Sequence, residues 1–269
     1  MTPFIKWVGG KRQLINQIST RLPKKYNRYI EPFVGGGAVF FKLAHSNSVI
    51  NDINPVLINS YKQIRDNVYP LIELLEKLDS IYCDKEFYNK IRDKFNDKIK
   101  SAEYDLELAA LFIYINKKCY NGLFRVNSKG LFNVPFNNKS SGASFDAQNL
   151  MEISEFLKDT TIFNGDFQKI FKLAEKDDFI FIDSPYVPLN ATTFDSYTKD
   201  GFDYESHKRL AKEFKKLDKR GCYLMLTNHD TPLIRELYQE YKIEPIQVRR
   251  AVNSDGSNRK GTEVIITNY

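Results

Sequence analysis

The chain has 269 residues, 42% hydrophobic and 28% charged, which is enough apolar material for one large domain, or a domain with a sizeable insertion, without disulfide or metal staples. No stretch approaches the ~20 apolar residues a membrane helix needs, and Met1–Trp7 lacks the apolar core of a secretion signal. Cys83, Cys119 and Cys222 show no CxxC spacing and no histidine partner, so they read as buried thiols of a cytoplasmic protein rather than as a disulfide framework or a zinc site. The net charge of +6 is uneven: residues 116–139 hold Lys117, Lys118, Arg125, Lys129 and Lys139 with no acid, and residues 247–262 hold Arg249, Arg250, Arg259 and Lys260 against Asp255. Everything else is slightly acidic, which suggests two contact surfaces on an acidic body.

In chain order, Tyr29–Phe33 ends a short strand that runs into Val34-Gly35-Gly36-Gly37, and Ala38–Leu43 reads as the first turns of a helix. Ser48–Asp52 is a second strand with a polar end. From about Leu57 to Lys100 the pattern is helical, with Leu71, Leu74, Leu75 and Leu78 recurring at three and four, and Leu106–Tyr114 continues it. Asn121–Phe136 reads as a turn-rich hairpin. Its cations interleave with Tyr120, Phe124, Phe132 and Phe136, which suits phosphate neutralisation beside base stacking; a solvated hairpin whose aromatics fill a local core suits the same residues.

After the Ser140-Ser141-Gly142 break, strands alternate with helices again. Thr160–Phe163 precedes Asn164-Gly165-Asp166, the apolar run Phe179–Ile182 ends at Asp183 as a buried parallel strand would, His207–Leu217 is helical, and Tyr223–Thr227 and Glu263–Thr267 are further strands. This alternation predicts an α/β fold with an open, mostly parallel sheet, formed by residues 1–56 and 146–269. Residues 57–145 interrupt it as a mainly helical insertion carrying a β-hairpin.

Ligands of an open α/β sheet gather at the carboxyl ends of its strands. Here those ends carry Glu31-Pro32-Phe33-Val34-Gly35-Gly36-Gly37, Asp52, Asp166 and Asp183-Ser184-Pro185-Tyr186. A glycine turn lets backbone approach a ligand closely. Asp52 can accept two hydroxyls of a ribose, or can simply lead into a helix at Ile53-Asn54-Pro55. Asp183-Ser184-Pro185-Tyr186 offers a carboxylate, a main-chain carbonyl and an aromatic face, matching a planar base with an exocyclic amino group; the other reading is a β-turn with a packed tyrosine.

These two motifs, together with Lys6-Trp7-Val8-Gly9-Gly10-Lys11, Tyr120-Asn121-Gly122-Leu123-Phe124-Arg125, Phe132-Asn133-Val134-Pro135-Phe136 and Thr227-Asn228-His229-Asp230, resemble the Dam family of DNA adenine methyltransferases (D12 class, α group) almost end to end. The resemblance implies a Rossmann-like S-adenosylmethionine-dependent sheet with an inserted target-recognition domain. It further implies a monomeric, metal-independent enzyme that methylates the amino group of an adenine flipped out of double-stranded DNA, within GATC. By the same resemblance Trp7, Lys11, Asp52 and Asp183 lie at the cofactor, with Glu31, Pro32, Phe33, Gly35 and Gly37 around its methionine portion. Asp52 holds the ribose, Asp166 reaches the cofactor's adenine amino group, and Phe167 lies against its ring. Asp183, Ser184, Pro185 and Tyr186 form the catalytic motif.

Lys6, Leu123, Arg125 and Pro135 match positions that read the sequence, Lys6 at the first guanine, and an arginine presenting two donors to guanine is the commonest direct readout. Tyr120 and Asn121 match the tip that enters the duplex, while Arg92, Lys117, Asn127 and Asn133 match backbone contacts. The loop 253–261, with Arg259 and Lys260, reads either as a backbone clamp or as a plain hairpin turn. Two departures stand out: Ser184 occupies the place of the first proline in Asp-Pro-Pro-Tyr, and Asn137-Asn138-Lys139 stands where close relatives carry Gly-Arg. Serine keeps the carbonyl but loses the fixed φ, so a weakly active or non-catalytic DNA-binding relative is the alternative. A nicotinamide-dependent oxidoreductase would explain the glycine loop and Asp52 but neither the catalytic motif nor the basic insertion.

Overall fold

A computed structural model of the chain describes residues 1–11, 13–188, 202–249 and 260–269. In chain order the elements are α1 (Ile15–Ser19), β1 (Tyr29–Glu31), α2 (Ala38–Leu43), β2 (Ser48–Asp52), α3 (Pro55–Asp66), α4 (Val68–Asp79), α5 (Lys85–Lys100) and α6 (Leu106–Lys118). A single 3-10 turn (Tyr120–Gly122) follows, then α7 (Ala147–Leu157), β3 (Thr160–Asn164), α8 (Phe167–Phe171), β4 (Phe179–Ile182) and α9 (Tyr204–Lys219). β5 (Tyr223–His229), α10 (Pro232–Leu237), β6 (Lys242–Arg249) and β7 (Lys260–Thr267) complete the order. The chain divides into two units, one of Met1–Arg12, Val34–Ser46 and Asp52–Gly165, the other of Gln13–Phe33, Asn47–Asn51 and Asp166–Tyr269.

The first unit is built around α6. Every residue from Leu108 to Asn116 is buried, as befits a helix that is apolar on all sides and packs against α3, α4 and α5. The helical pattern read over 57–100 resolves into three helices because of local caps. Asn54 accepts from the N–H groups of Val56 and Leu57 ahead of Pro55, and Asp84 accepts from Phe87 at 2.7 Å to start α5 after a break at Ser80. α7 starts on an Asp146 cap and places Phe156 against Phe40 of α2.

The predicted hairpin is pinned by two single bridges, Cys119 to Phe136 and Val126 to Phe132, rather than by a ladder. Asn127, Gly130 and Pro135 supply turns and remove a donor, and α5 replaces the missing strand contacts. Asn96 donates to the Phe132 carbonyl (3.0 Å) and accepts its N–H (2.8 Å), and the Tyr88 hydroxyl donates to the Val134 carbonyl at 2.8 Å.

In the second unit β2, β1, β4 and β5 run parallel, β7 lies antiparallel to β5, and β6 antiparallel to β7. The central strand β4, Phe-Ile-Phe-Ile, is fully buried. β6 is absent from the sequence expectation because Pro245 and three charged residues mask its periodicity; an edge strand tolerates that proline. Ahead of β1 and β4, Arg28 grips the buried carboxylate of Asp178 through Nε (3.1 Å) and Nη2 (2.6 Å), while Phe179 donates its N–H to the Arg28 carbonyl at 2.9 Å. Among the described residues no helix is long and apolar enough to cross a membrane.

Candidate functional site

The residues singled out from the sequence divide between the units. In the first, the left-handed backbone of Gly35 (φ +49°) is required by close approach as well as by conformation: a Cβ there would lie 2.8 Å from Cδ1 of Trp7. Asp52 closes the loop from the other side, accepting the N–H of Gly35 at 3.0 Å and of Asn54 at 2.9 Å, and the Tyr61 hydroxyl donates to the Gly35 carbonyl at 3.0 Å. Gly37 precedes α2 with φ +73°. Burial raises the Asp52 carboxyl above its usual range, opposed by the backbone N–H groups of Asn54, Gly35 and Ile53. With those three N–H groups on its two oxygens, the Asp52 carboxylate keeps one lone pair for a ligand hydroxyl. Lys11 is buried and donates from Nζ to the Gly9 carbonyl at 2.8 Å.

Trp7 joins this loop to the segment after α6, because its indole stacks on Phe124 at 5.3 Å and meets Phe112 edge-on at 6.3 Å. Asn116 does the same for Lys6. Its Oδ1 accepts the Lys6 N–H at 2.8 Å, and its Nδ2 donates to the carbonyls of Lys6 (3.0 Å) and Gly122 (3.2 Å). The Lys6 stem packs so closely on Gly122 that a Cβ there would come within 2.5 Å of Lys6 Cδ. Lys6 is thereby brought beside the Tyr120–Gly122 turn, a relationship no local sequence signal predicts.

The exposed tip consists of Tyr120, whose N–H donates to the Pro135 carbonyl at 2.8 Å, and Asn121, in the left-handed region at φ +56°. Arg125 is exposed and bonded to Asn133, Leu123 is half-buried, and Pro135 is exposed. Asn127 folds the turn by accepting the N–H groups of Lys129 (2.9 Å) and Leu131 (3.1 Å). Lys117 is exposed at the end of α6, and Arg92 on α5 has Asp93 at 3.8 Å.

One expectation for the basic segment is corrected, and of the two readings of its aromatics the local core is the one found. Lys118 is buried, donating to the Gly142 carbonyl at 2.8 Å, so it adds nothing to an outward cationic face. Phe132 is likewise buried, and Phe124 and Phe132 pack with Phe95 and Phe112 as a local core, which leaves Tyr120 as the exposed aromatic of this stretch.

In the second unit the Asp183-Ser184-Pro185-Tyr186 segment leaves the carboxyl end of β4 and is gripped by its neighbours. Thr227 Oγ1 donates to Asp183 Oδ1 at 2.8 Å, Asn228 Oδ1 accepts the Val187 N–H at 3.0 Å, and His229 Nδ1 lies 2.7 Å from the Val187 carbonyl. Pro185 is exposed, whereas Ser184 is buried and its hydroxyl has no partner among the described residues. Burial, then the charges of Asp183 and Glu263, push the Tyr186 phenol well above its ordinary value, so it stays a neutral donor. Thr227 and Asn228 obey the strand-end rule that singled out Asp183, yet only their family motif drew notice in the sequence.

Asp166 caps α8 through the Gln168 N–H (3.0 Å) and pairs with Arg209 Nη2 at 2.7 Å, and that guanidinium lies 4.4 Å over the Phe167 ring. Phe33 packs on Phe167 at 5.4 Å and on Phe202 at 5.8 Å, giving an aromatic wall with a carboxylate at its edge. Glu31 is buried and accepts the Tyr29 hydroxyl at 2.6 Å, and the Pro32 carbonyl accepts from Asn51 at 2.9 Å. Lys260 opens β7, and Arg259 lies outside the described residues. All three cysteines are buried and free, with burial raising Cys119 and Cys222 to about 11, so neither is a ready nucleophile. Among the described residues no cluster of three His, Cys, Asp or Glu side chains is placed to hold a metal ion.

Residues 7–252 match the family described as D12 class N6 adenine-specific DNA methyltransferase. Over its whole length the chain is 44% identical to a type II methyltransferase of Lactococcus lactis subsp. cremoris, covering 96% of that protein. It is 42% identical to a type II methyltransferase of Methanocaldococcus jannaschii, with 99% of each chain covered. Against the DNA adenine methylase of Escherichia coli K12 it is 32% identical over 99% of this chain and 94% of the relative. Given the glycine loop with its carboxylate, the clamped Asp-Ser-Pro-Tyr motif and this match, the chain belongs to the D12 class of N6 adenine-specific DNA methyltransferases, enzymes that act on DNA with S-adenosylmethionine as cofactor.

Proposed function

We infer that the chain methylates the amino group of an adenine swung out of double-stranded DNA, within GATC, as a monomer in the cytoplasm. The observation that carries this is the clamped loop Asp183–Val187, held by Thr227, Asn228 and His229 of β5, which fixes a carboxylate, a carbonyl and an aromatic ring within four residues. In this reading the Asp183 carboxylate and the Ser184 carbonyl accept the two amino hydrogens, and Tyr186 stacks on the base. An adenine inside the duplex is out of reach, so flipping costs a few kcal/mol that stacking partly offsets. The amino lone pair is conjugated into the ring, and the two acceptors draw it toward the line of attack, which is catalysis by orientation.

The residues fit S-adenosylmethionine. The Gly35 cradle against Trp7 admits close backbone approach, Asp52 keeps a lone pair for a ribose hydroxyl, and Asp166 with Phe33 and Phe167 suits an adenine ring bearing an amino group. When bound, the cofactor supplies a methyl group carried on a sulfonium sulfur. Trp7, Lys11, Glu31, Pro32, Phe33, Gly35, Gly37, Asp52, Asp166, Phe167 and Asp183 are assigned to holding it.

Residues 57–145 form the target-recognition domain in this reading, inserted between the 1–56 and 146–269 parts of the catalytic domain. Lys6, Leu123, Arg125 and Pro135 read bases, Tyr120 and Asn121 enter the duplex, and Arg92, Lys117, Asn127, Asn133, Arg259 and Lys260 contact the backbone. The test is methyl transfer from labelled cofactor to duplexes with and without GATC. Transfer confined to GATC duplexes, abolished by Asp183→Ala with DNA binding intact, supports the assignment; transfer to other sites alone rejects the sequence. The buried, unpartnered hydroxyl of Ser184 favours a second reading, a weakly active or non-catalytic DNA-binding relative. An absence of transfer that Ser184→Pro restores would establish it.

A further inference from the structure

Glu263 has no part in the reading above, yet it touches the ring that reading places against the target base. β5 and β7 run antiparallel with His229 opposite Glu263, so the opening residues of β7 stand beside the carboxyl end of β5, where the catalytic loop is held. The Tyr186 hydroxyl donates to Glu263 Oε2 at 2.9 Å, and its ring meets the His229 ring edge-on at 4.8 Å and 74°. A tyrosine side chain has two torsions. Fixing its tip by a charge-assisted bond and its flank by an aromatic contact selects one orientation of the ring plane. The phenol has a single proton, and Glu263 takes it in a hydrogen bond.

We propose that Glu263 is a positioning residue for methyl transfer: by holding the Tyr186 hydroxyl it sets the plane on which the flipped adenine stacks, and so the direction from which the amino nitrogen attacks. This rests on the reading of Tyr186 as the stacking platform. Glutamine at this position keeps an acceptor oxygen, alanine keeps none, and phenylalanine at 186 removes the donor.

The test uses the full chain under single-turnover conditions with S-adenosylmethionine and a GATC duplex, plus a second duplex carrying 2-aminopurine at the target position to report unstacking by fluorescence. Glu263→Ala is expected to slow transfer about 10- to 100-fold and to reduce the steady 2-aminopurine signal, since small misplacements of reacting groups cost rates of this order. Affinity for S-adenosylhomocysteine and for duplex should stay within about twofold, placing the loss in the chemical step rather than in binding. Glu263→Gln should recover most of the rate. Tyr186→Phe should match Glu263→Ala, and the double variant should be no slower than either, because both remove one interaction.

Wild-type transfer in Glu263→Ala, additive losses in the double variant, or no recovery by glutamine overturns the proposal. Should Glu263→Ala lose S-adenosylhomocysteine affinity through misfolding, the Gln and Phe variants decide in its place. Tyr186→Ala separates the two levels. If it transfers at the wild-type rate, the platform reading itself falls and the proposal with it; if it loses transfer while Glu263→Ala does not, only the positioning role falls.

Discussion

Arg125 donates from Nε to the side-chain oxygen of Asn133 at 2.8 Å, and Asn133 returns its own N–H to the Arg125 carbonyl at 3.2 Å. Nη2 also donates to the Asn133 carbonyl at 3.4 Å, so the guanidinium is held along its Nε–Nη2 edge, and in the proposed reading its Nη1–Nη2 end meets a guanine in the bidentate manner that distinguishes arginine from lysine. Arg125→Ala is expected to weaken discrimination at one guanine by about 1–3 kcal/mol, and Asn133→Ala by a smaller amount through loss of preorganisation. Competition among duplexes altered at single positions measures both. Equal weakening toward every sequence would make Arg125 a phosphate contact.

Ser184 hides a hydroxyl that finds no partner among the described residues. Leaving a buried polar group unpaired costs about 1–3 kcal/mol. Ser184→Ala is therefore expected to raise stability by about 1 kcal/mol and the melting midpoint by about 2–4 °C, read by calorimetry. A lowered midpoint would mean that the hydroxyl is satisfied in solution.

His207 on α9 packs edge-on against Phe202 at 4.8 Å, and burial pushes it down to about 4, opposed by the charge of Asp203. In the unfolded chain the imidazole takes up its proton below about pH 6.5, while the folded one stays neutral until about pH 4. The unfolded state thus binds more protons in that window. Stability is lost as pH falls from about 6.5 to about 4, on the order of 3 kcal/mol in all, and the loss stops below it. Urea unfolding of wild type and His207→Phe at several pH values should show curves that separate through this window; parallel curves would assign the acid sensitivity to other groups.

Arg28 and Asp178 form an ion pair with much at stake for folding, since the Asp178 side chain is only 1% exposed. Removing one member of a buried pair typically costs about 3–5 kcal/mol, so Arg28→Ala should be severely destabilised. The double replacement Arg28→Met with Asp178→Leu should recover most of that loss in denaturant midpoints. If the double variant proves no better than the single one, packing rather than the uncompensated charge is responsible.

The strands that carry the sheet were legible wherever apolar runs are uninterrupted: β1, β2, β4 and β5 lie where the sequence places them. Helix α7 was overlooked although Asp146 caps it, because no glycine or proline marks its end. The strand-end rule found Asp52, Asp166 and Asp183, and applied further it reaches Thr227 and Asn228. Glu263 was beyond that rule for a geometric reason: β7 is antiparallel, so its beginning, not its end, meets the ligand side of β5. Asn116 and Asn96 were invisible because their partners, Lys6 and Phe132, are 110 and 36 residues away. A hydrogen bond across such a span leaves no period in the sequence.

Trp7 is the chain's single tryptophan, lodged between the Gly35 backbone and the Phe124 ring. Emission excited beyond the tyrosine absorption band therefore has one source, and that source touches both the glycine loop and Phe124. Any ligand that shifts either neighbour alters the colour or brightness of the same indole, giving an unlabelled optical readout in which cofactor and duplex occupancy can be titrated separately and then together.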